Sequence, residues 1–471
     1  MVAPWEPTLE PSLTVRRKIF DPRSKTPTEK LELLYSVDKS GVGGYVPAGL
    51  AERVARALVK MRGACPIKDL RKWAALPTPD WSRIDLTKLR DGQAELLAAV
   101  ASSHSGVIVA PPGFGKSTCL CFMCMVYPDA VIVVATPRVS VVRTIADRMK
   151  TFPALDGQVG VMCTGRNDGW TNRITVTTTK GMEKARYADC DLLVLDECHC
   201  AAAPGVSTAL AKFHEARKWG LSASPTGRGD NADLLLEALI GPVRFEHTYQ
   251  QAVSSKSIVQ IDAMVVRNKE PSPGNYGTRI AMKRHCVWRN NKRNDLIASA
   301  ARICSNQGQT LIMCETVEHV MELRKRLPGW VTVYAACDKA RYQGFVDKGM
   351  TDEPLKSADD LIEVQKKFER GEINRAITTM TWREGVDFVK LAFLVRADSM
   401  SGEIPAIQIT GRLSRTNKGK STGILVDFLD EADTQMRASA WKKIKLYKAK
   451  GWNVNVIDGV DKLKNLVEVE F

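Results

Sequence analysis

Two short stretches eighty residues apart each close an apolar run in a manner suited to the edge of a parallel α/β sheet. The first, Ala110-Pro111-Pro112-Gly113-Phe114-Gly115-Lys116-Ser117-Thr118, follows the run from Gly106 to Ala110 and leads into a helical pattern. The second, Leu195-Asp196-Glu197-Cys198-His199, follows the run from Asp191. A strand that feeds a glycine-rich turn into a helix aims backbone N–H groups at phosphate oxygens, and the helix N-terminus adds positive potential. Gly113 and Gly115 permit that turn, Lys116 is placed to reach β- and γ-phosphates, and Ser117 to ligate Mg²⁺. The first glycine usual in such loops is Ala110 here. Asp196, at a strand end, can hold the metal through water while Glu197 polarises an attacking water. Ligands of open α/β sheets sit at the carboxyl ends of strands, so both stretches are expected at one edge.

Further stretches follow in a fixed order. Leu89-Arg90-Asp91-Gly92-Gln93 lies upstream; Ala135-Thr136-Pro137-Arg138, Thr177-Thr178-Thr179-Lys180-Gly181 and Leu221-Ser222-Ala223-Ser224-Pro225-Thr226 fall in the first half. Thr310 to Thr316, Thr379 to Asp387 and Gln408-Ile409-Thr410-Gly411-Arg412-Leu413-Ser414-Arg415 fall in the second. Taken together, over about residues 86 to 430, the set resembles the motifs of superfamily 2 helicases. Asn290-Asn291-Lys292-Arg293-Asn294 and Glu384-Gly385-Val386-Asp387 make it similar to the phage recombination and repair helicases and their excision-repair and large-virus relatives.

The resemblance implies an α/β fold class with two tandem RecA-like parallel-sheet domains, ATP and Mg²⁺ as cofactors, and DNA, whether single-stranded, duplex or branched, as partner. It assigns Arg90, Gln93, Pro112, Gly113, Phe114, Gly115, Lys116, Ser117, Thr118, Gly385 and Asp387 to ATP, and Ser117 and Asp196 to the metal. Lys116, Asp196, Glu197, Arg412 and Arg415 become catalytic residues. His199, Ser222, Ala223, Ser224 and Gln408 couple hydrolysis to movement, and Thr136, Pro137, Arg138, Thr179, Lys180, Gly181, Thr316 and Thr379 hold DNA. Positive charge brought to the γ-phosphate from outside the loop can raise the rate by about 10³ to 10⁵. Arg412 and Arg415, three residues apart, would share one face of a helix in that role, against the alternative of a basic surface turn with Lys418 and Lys420. The expected activity is ATP-dependent helicase or translocase action, 3′ to 5′, on branched repair or recombination intermediates. Asp-Glu-Cys-His in place of Asp-Glu-Ala-Asp, and Trp382-Arg383-Glu384 in the fifth motif, weigh against RNA without removing an RNA helicase as the alternative. A nucleotide-gated binding module without motor activity is the other.

Charge agrees. The chain of 471 residues carries a net charge of +15, which favours polyanions and makes their binding salt-dependent. No start resembling a signal peptide and no membrane-length apolar run appears, so a cytoplasmic monomer, in the host cytoplasm if of phage origin, is expected, with other recombination or replication proteins as further partners. Twelve cysteines in such a length indicate buried thiols rather than a disulfide framework.

Periodicity divides the chain into an N-terminal accessory domain (1–85), a first lobe (86–247), a second lobe (248–430) with its hinge at Thr248 to Lys256, and a C-terminal basic helix and tail (431–471). The accessory domain reads equally as a DNA-engaging element or a packing brace, with a helix from Ala48 to Arg62 whose apolar stripe is Leu50, Val54, Leu58 and Met61. Asp338 to Asp360 reads as a polar insertion or loop. In the tail, lysines alternate with Trp441, Tyr447 and Trp452, a pattern that suits contact with a nucleic-acid backbone and stacking on its bases; Trp441, Ile444 and Tyr447 or Lys448 also fall at helical spacing and predict a docked amphipathic helix that leaves the lysines free to serve DNA.

Overall fold

The computed structural model describes all residues except 1, 5–6, 21–26, 38–42, 64–77, 186–188, 224–231, 271–273, 275, 335–338, 384–387, 401–409, 418, 432 and 467–471. They form two compact units, Met1–Pro111 with Gly115–Thr248, and Tyr249–Phe471 with Pro112–Phe114.

The first unit opens with short strands β1 (Val2–Pro4), β4 (Ser36–Val37) and β5 (Gly43–Tyr45) in one small antiparallel sheet, and a hairpin of β2 (Thr14–Phe20) and β3 (Pro27–Leu33). The helix Ala51–Arg62 buries Val54 and Leu58, and Leu50 just before it is buried too, whereas Met61 is exposed; the stripe is therefore narrower than its spacing predicted. Those side chains join Leu9, Leu13 and Val15 in a cluster with Ala202, Leu235 and Ala238 of the larger sheet domain, each large aliphatic contributing about 1.5–3 kcal/mol by burial. Gly49 makes this approach possible, because a Cβ there would lie 1.8 Å from the Glu237 carbonyl oxygen. Ion pairs of Arg53 with Glu237 and Glu52 with Arg244 flank the contact. The N-terminal segment thus packs against the first sheet domain.

The main sheet contains β6 (Gly106–Val109), β7 (Ile132–Thr136), β8 (Val159–Cys163), β9 (Arg166–Asn167), β10 (Ile174–Thr178), β11 (Leu192–Asp196), β12 (Arg217–Ser222) and β13 (Val243–Glu246). Their order is β13-β6-β12-β11-β7-β10-β8-β9, parallel throughout except for β9. Helices cover the sheet, so its central strands are apolar over their whole length, as Leu192 to Leu195 are.

The second unit is a seven-stranded parallel sheet of β14 (Gln260–Asn268), β15 (Thr310–Met313), β16 (Val331–Val333), β17 (Arg375–Thr378), β18 (Phe393–Arg396), β19 (Thr422–Asp430) and β20 (Asn453–Ile457), in the order β16-β17-β15-β18-β19-β14-β20. The segment expected as a hinge holds the helix Tyr249–Ser254, and the expected polar insertion holds the helix Lys339–Asp347 and the start of Ala358–Arg370, which Ser357 and Asp360 cap reciprocally. Among the described residues no helix is long and apolar enough to cross a membrane.

The C-terminal helix Thr434–Ala449 docks on this sheet, but not by the stripe its spacing suggested. Met436, Ala440, Lys443, Ile444 and Tyr447 face inward, and Trp441 faces outward at 38% exposure. A polar network replaces the missing indole. Lys443 Nζ donates to Asp427 at 2.6 Å, Tyr447 donates to the other Asp427 oxygen at 2.6 Å, and Arg396 joins Tyr447 (2.7 Å) to Asp398.

Candidate nucleotide site and motor core

Parallel register brings the first-unit motifs to one edge. Val109, the last residue of β6, pairs with Ser222 of β12; Leu221 pairs with Asp196 of β11; Leu195 pairs with Ala135 of β7; and Thr136 pairs with Thr178 of β10. Each motif begins where its strand stops, so the phosphate loop, the acidic pair and the Ser222 segment share the carboxyl end of the sheet.

The loop after β6 turns through Gly113 (φ 92°) and Gly115 (φ 95°), a left-handed backbone that favours glycine, and Lys116 starts the helix Lys116–Val126. Lys116 Nζ donates to the carbonyls of Ala110 (2.7 Å) and Pro111 (3.1 Å). Ser117 and Thr118 occupy the first turn of that helix and remain partly exposed, as does Pro112, while Phe114 is buried. Gln93 lies against the loop, since a Cβ on Gly115 would stand 2.7 Å from its amide nitrogen; its Oε1 accepts the Arg90 backbone N–H at 3.0 Å, and the Arg90 side chain is exposed. Below the loop Cys119, Cys121 and Cys124 are buried, and desolvation pushes the Cys119 and Cys121 thiols up to about 12.

Asp196 and Glu197 carry the electrostatics of the site. Burial first, and the Glu197 carboxylate second, push the Asp196 carboxyl up to about 7, against the pull of the Lys116 ammonium. A carboxylate so destabilised is relieved by a cation, and a hard divalent ion held by one carboxylate, one hydroxyl and phosphate oxygens needs no further protein ligand. Asp196 and Ser117 therefore suit Mg²⁺ in the presence of a nucleotide. Glu197 has φ 53°, an arrangement that costs a non-glycine residue about 1–3 kcal/mol. His199 Nδ1 lies 3.3 Å from Glu197 Oε2 and 3.4 Å from Ser222 Oγ, so one imidazole touches both the acid and the segment expected to couple it. The Ser222 carbonyl accepts the Ala110 N–H at 3.1 Å, tying the same segment to the start of the phosphate loop. Ala223 follows and is partly exposed; Ser224 lies outside the described residues, as do Gly385, Asp387 and Gln408.

The residues expected to hold DNA are placed unevenly. Thr136 is fully buried, so it offers no hydroxyl to solvent; its carbonyl instead accepts the Thr179 N–H at 2.9 Å, joining two motifs. Pro137 and Arg138 are partly exposed, Thr179 is buried, Lys180 is exposed, and the Gly181 N–H donates to Thr178 Oγ1 at 3.0 Å. In the second unit Thr316 caps the helix Val317–Arg326, its hydroxyl accepting the His319 N–H at 3.3 Å, and Thr379 is buried with its hydroxyl 2.8 Å from that of Thr381.

Arg412 and Arg415 lie at a turn rather than on one helical face in the described residues. The Arg412 guanidinium stands 6.0 Å from the Phe388 ring centroid. The turn is fixed by Lys420, whose Nζ donates to the carbonyls of Leu391 (2.7 Å) and Leu413 (2.6 Å). Lys420 is 7% exposed, so the reading of this segment as a basic surface turn fails for it; burial first, then Arg415, push its ammonium down to about 7. A lysine between Gly419 and Ser421 in a basic stretch carries no sequence signal for burial.

Residues 86–227 match the family described as type III restriction enzyme, res subunit. The fold is shared with S. cerevisiae Dbp5 bound to RNA and ADP BeF3, with a TM-score of 0.55 and 13% identity over 81% of this chain and 94% of that one. Both parallel sheets have the RecA-like α/β fold shared with that structure. The DNA 3′-5′ translocase XPB2 of Sulfurisphaera tokodaii is 27% identical over 172 residues, 36% of this chain and 37% of that protein. The protein named "Putative helicase 22" of Sulfolobus islandicus filamentous virus is 21% identical over 374 residues, 72% of this chain and 63% of that protein. The chain spans 28–63% of the length of the curated relatives it matches.

Proposed function

We propose that this chain is an ATP-driven DNA helicase or translocase that moves 3′ to 5′ and acts on branched intermediates of repair or recombination. The observation that carries the reading is the convergence of Lys116, Asp196, Glu197 and the His199 to Ser222 contact at one strand-end edge. Backbone N–H groups of the loop and Lys116 bind the phosphates of ATP, Asp196 and Ser117 hold Mg²⁺, and Glu197 orients the attacking water. Held there, Mg²⁺ would neutralise phosphate charge during transfer. Arg412 and Arg415 stabilise the charge that develops on the γ-phosphate. His199 transmits the state of Glu197 to Ser222. On this reading residues 86–247 and 248–430 are the motor lobes, with 1–85 and 431–471 appended.

The translocase activity named for XPB2 supports DNA and the 3′ to 5′ direction. Strand displacement on forked DNA with a 3′ or a 5′ loading tail tests the proposal. Displacement that needs ATP and a 3′ tail is expected; displacement only with RNA, or with neither tail, would refute it.

A further inference from the structure

The helix Thr434–Ala449 carries five basic residues and no acidic one. Its docking uses only Lys443, bound to Asp427. The other four, Arg437, Lys442, Lys445 and Lys448, are exposed and form no ion pair among the described residues. Two other helices of the same unit pair most of their basic residues. On Val317–Arg326, Arg324 meets Asp352, Lys325 meets Glu322 and Arg326 meets Asp295; on Ala358–Arg370, Lys367 meets Glu363. Arg437, Trp441, Lys445 and Lys448 stand at i, i+4, i+8 and i+11, which places them along one side of the helix. The outward Trp441 sits in the middle of that cationic row although its own helix has a buried face to offer it.

We propose that this row is a binding site for single-stranded DNA, with Arg437, Lys445 and Lys448 on successive phosphates and Trp441 stacked on an unpaired base. Cations flanking an exposed aromatic are the two components that a single strand requires, charge for its backbone and a flat apolar face for its bases. Duplex would use the charges and leave the indole idle. The row spans about 16 Å at ~1.5 Å per residue, enough for several phosphates. The helix starts just after β19 ends, at the carboxyl edge of the sheet where Thr316 and Thr379 also follow their strands. The site would hold the strand beyond those motifs. It rests on the DNA-motor reading but is separable from it by experiment.

Binding of an oligothymidine to the full chain is measured by anisotropy across a salt series, with R437A/K445A/K448A and, separately, W441A. Each phosphate contact on a single strand adds about 0.7 to the slope of log affinity against log salt, so the triple variant is expected to lower the slope by about 2. Trp441→Ala is expected to weaken binding about 5- to 150-fold with the slope unchanged, and to have no effect on duplex of the same length. Thermal unfolding checks that both variants fold, and Trp441→Ala stands alone if the triple variant does not. Wild-type affinity and slope in both variants, with wild type binding normally, would overturn the site and leave the motor intact. Failure of the wild-type chain to bind any DNA would overturn both.

Discussion

His199 Nδ1 stands 3.4 Å from Ser222 Oγ, and the same nitrogen is 3.3 Å from Glu197. A single imidazole nitrogen thus faces Glu197, proposed to orient the attacking water, on one side and Ser222, proposed to couple hydrolysis to movement, on the other. His199→Ala and Ser222→Ala are each expected to lower strand displacement more than ATP turnover, by about tenfold in the ratio if one charge-assisted hydrogen bond of about 1.5–3 kcal/mol carries the coupling. Measuring both rates on one preparation checks this; a proportional loss of the two would show that His199 serves hydrolysis only.

Glu197 is held at φ 53°, where glycine is unstrained. Glu197→Gly is therefore expected to stabilise the first unit by roughly 0.5–1 kcal/mol while abolishing turnover. Urea unfolding followed alongside ATP hydrolysis separates the two effects, and a variant less stable than wild type would contradict the strain argument.

Lys443 and Asp427 are both almost fully buried and 2.6 Å apart. Lys443→Ala leaves an uncompensated carboxylate under the C-terminal helix, and a loss of about 3–5 kcal/mol is expected. Adding Asp427→Asn should recover much of that loss in a double-mutant cycle. Independent, additive effects would mean that the pair does not fasten the helix.

The buried His319 imidazole donates from Nε2 to Asn294 Oδ1 at 2.9 Å, and its Nδ1 has no hydrogen-bond partner among the described residues. Desolvation first, then the Arg293 guanidinium, hold its pKa well below the usual 6.5. The unfolded chain therefore binds more protons here than the folded one, and this contribution to stability is full above pH 6.5 and declines as pH falls. The slope approaches about 1.4 kcal/mol per unit between 6.5 and the lower folded value. Unfolding of wild type and His319→Gln at pH 7.5 and 5.5 checks the sign: the variant should lose less stability on acidification than wild type.

The parts of the molecule that could be read from residues alone are those set by local chain chemistry. A buried strand, a glycine turn and a helix start must succeed one another at Gly106 to Lys116, and Leu192 to Leu195 is too apolar to be anything but interior. Burial of charge is not local. Lys420 and Lys443 look like solvated lysines until the carbonyls and carboxylate that hold them are in place, and Trp441 looks like core until Lys443 takes the inner face. The β2–β3 hairpin was missed for a related reason: Thr14–Phe20 and Pro27–Leu33 are rich in charge and lack a clean alternation. Arg412 and Arg415 were legible as a pair, but their turn geometry depends on the Lys420 anchor.

The central claim is that Lys116, Asp196 and Glu197 form a DNA-driven ATP hydrolase. ATP turnover by the purified chain with single-stranded DNA, duplex, a four-way junction and RNA, beside Glu197→Gln, tests it most directly. Turnover stimulated by DNA above RNA and reduced about 10²- to 10⁴-fold by the substitution is predicted. Turnover that ignores DNA, or that survives Glu197→Gln, would contradict the account.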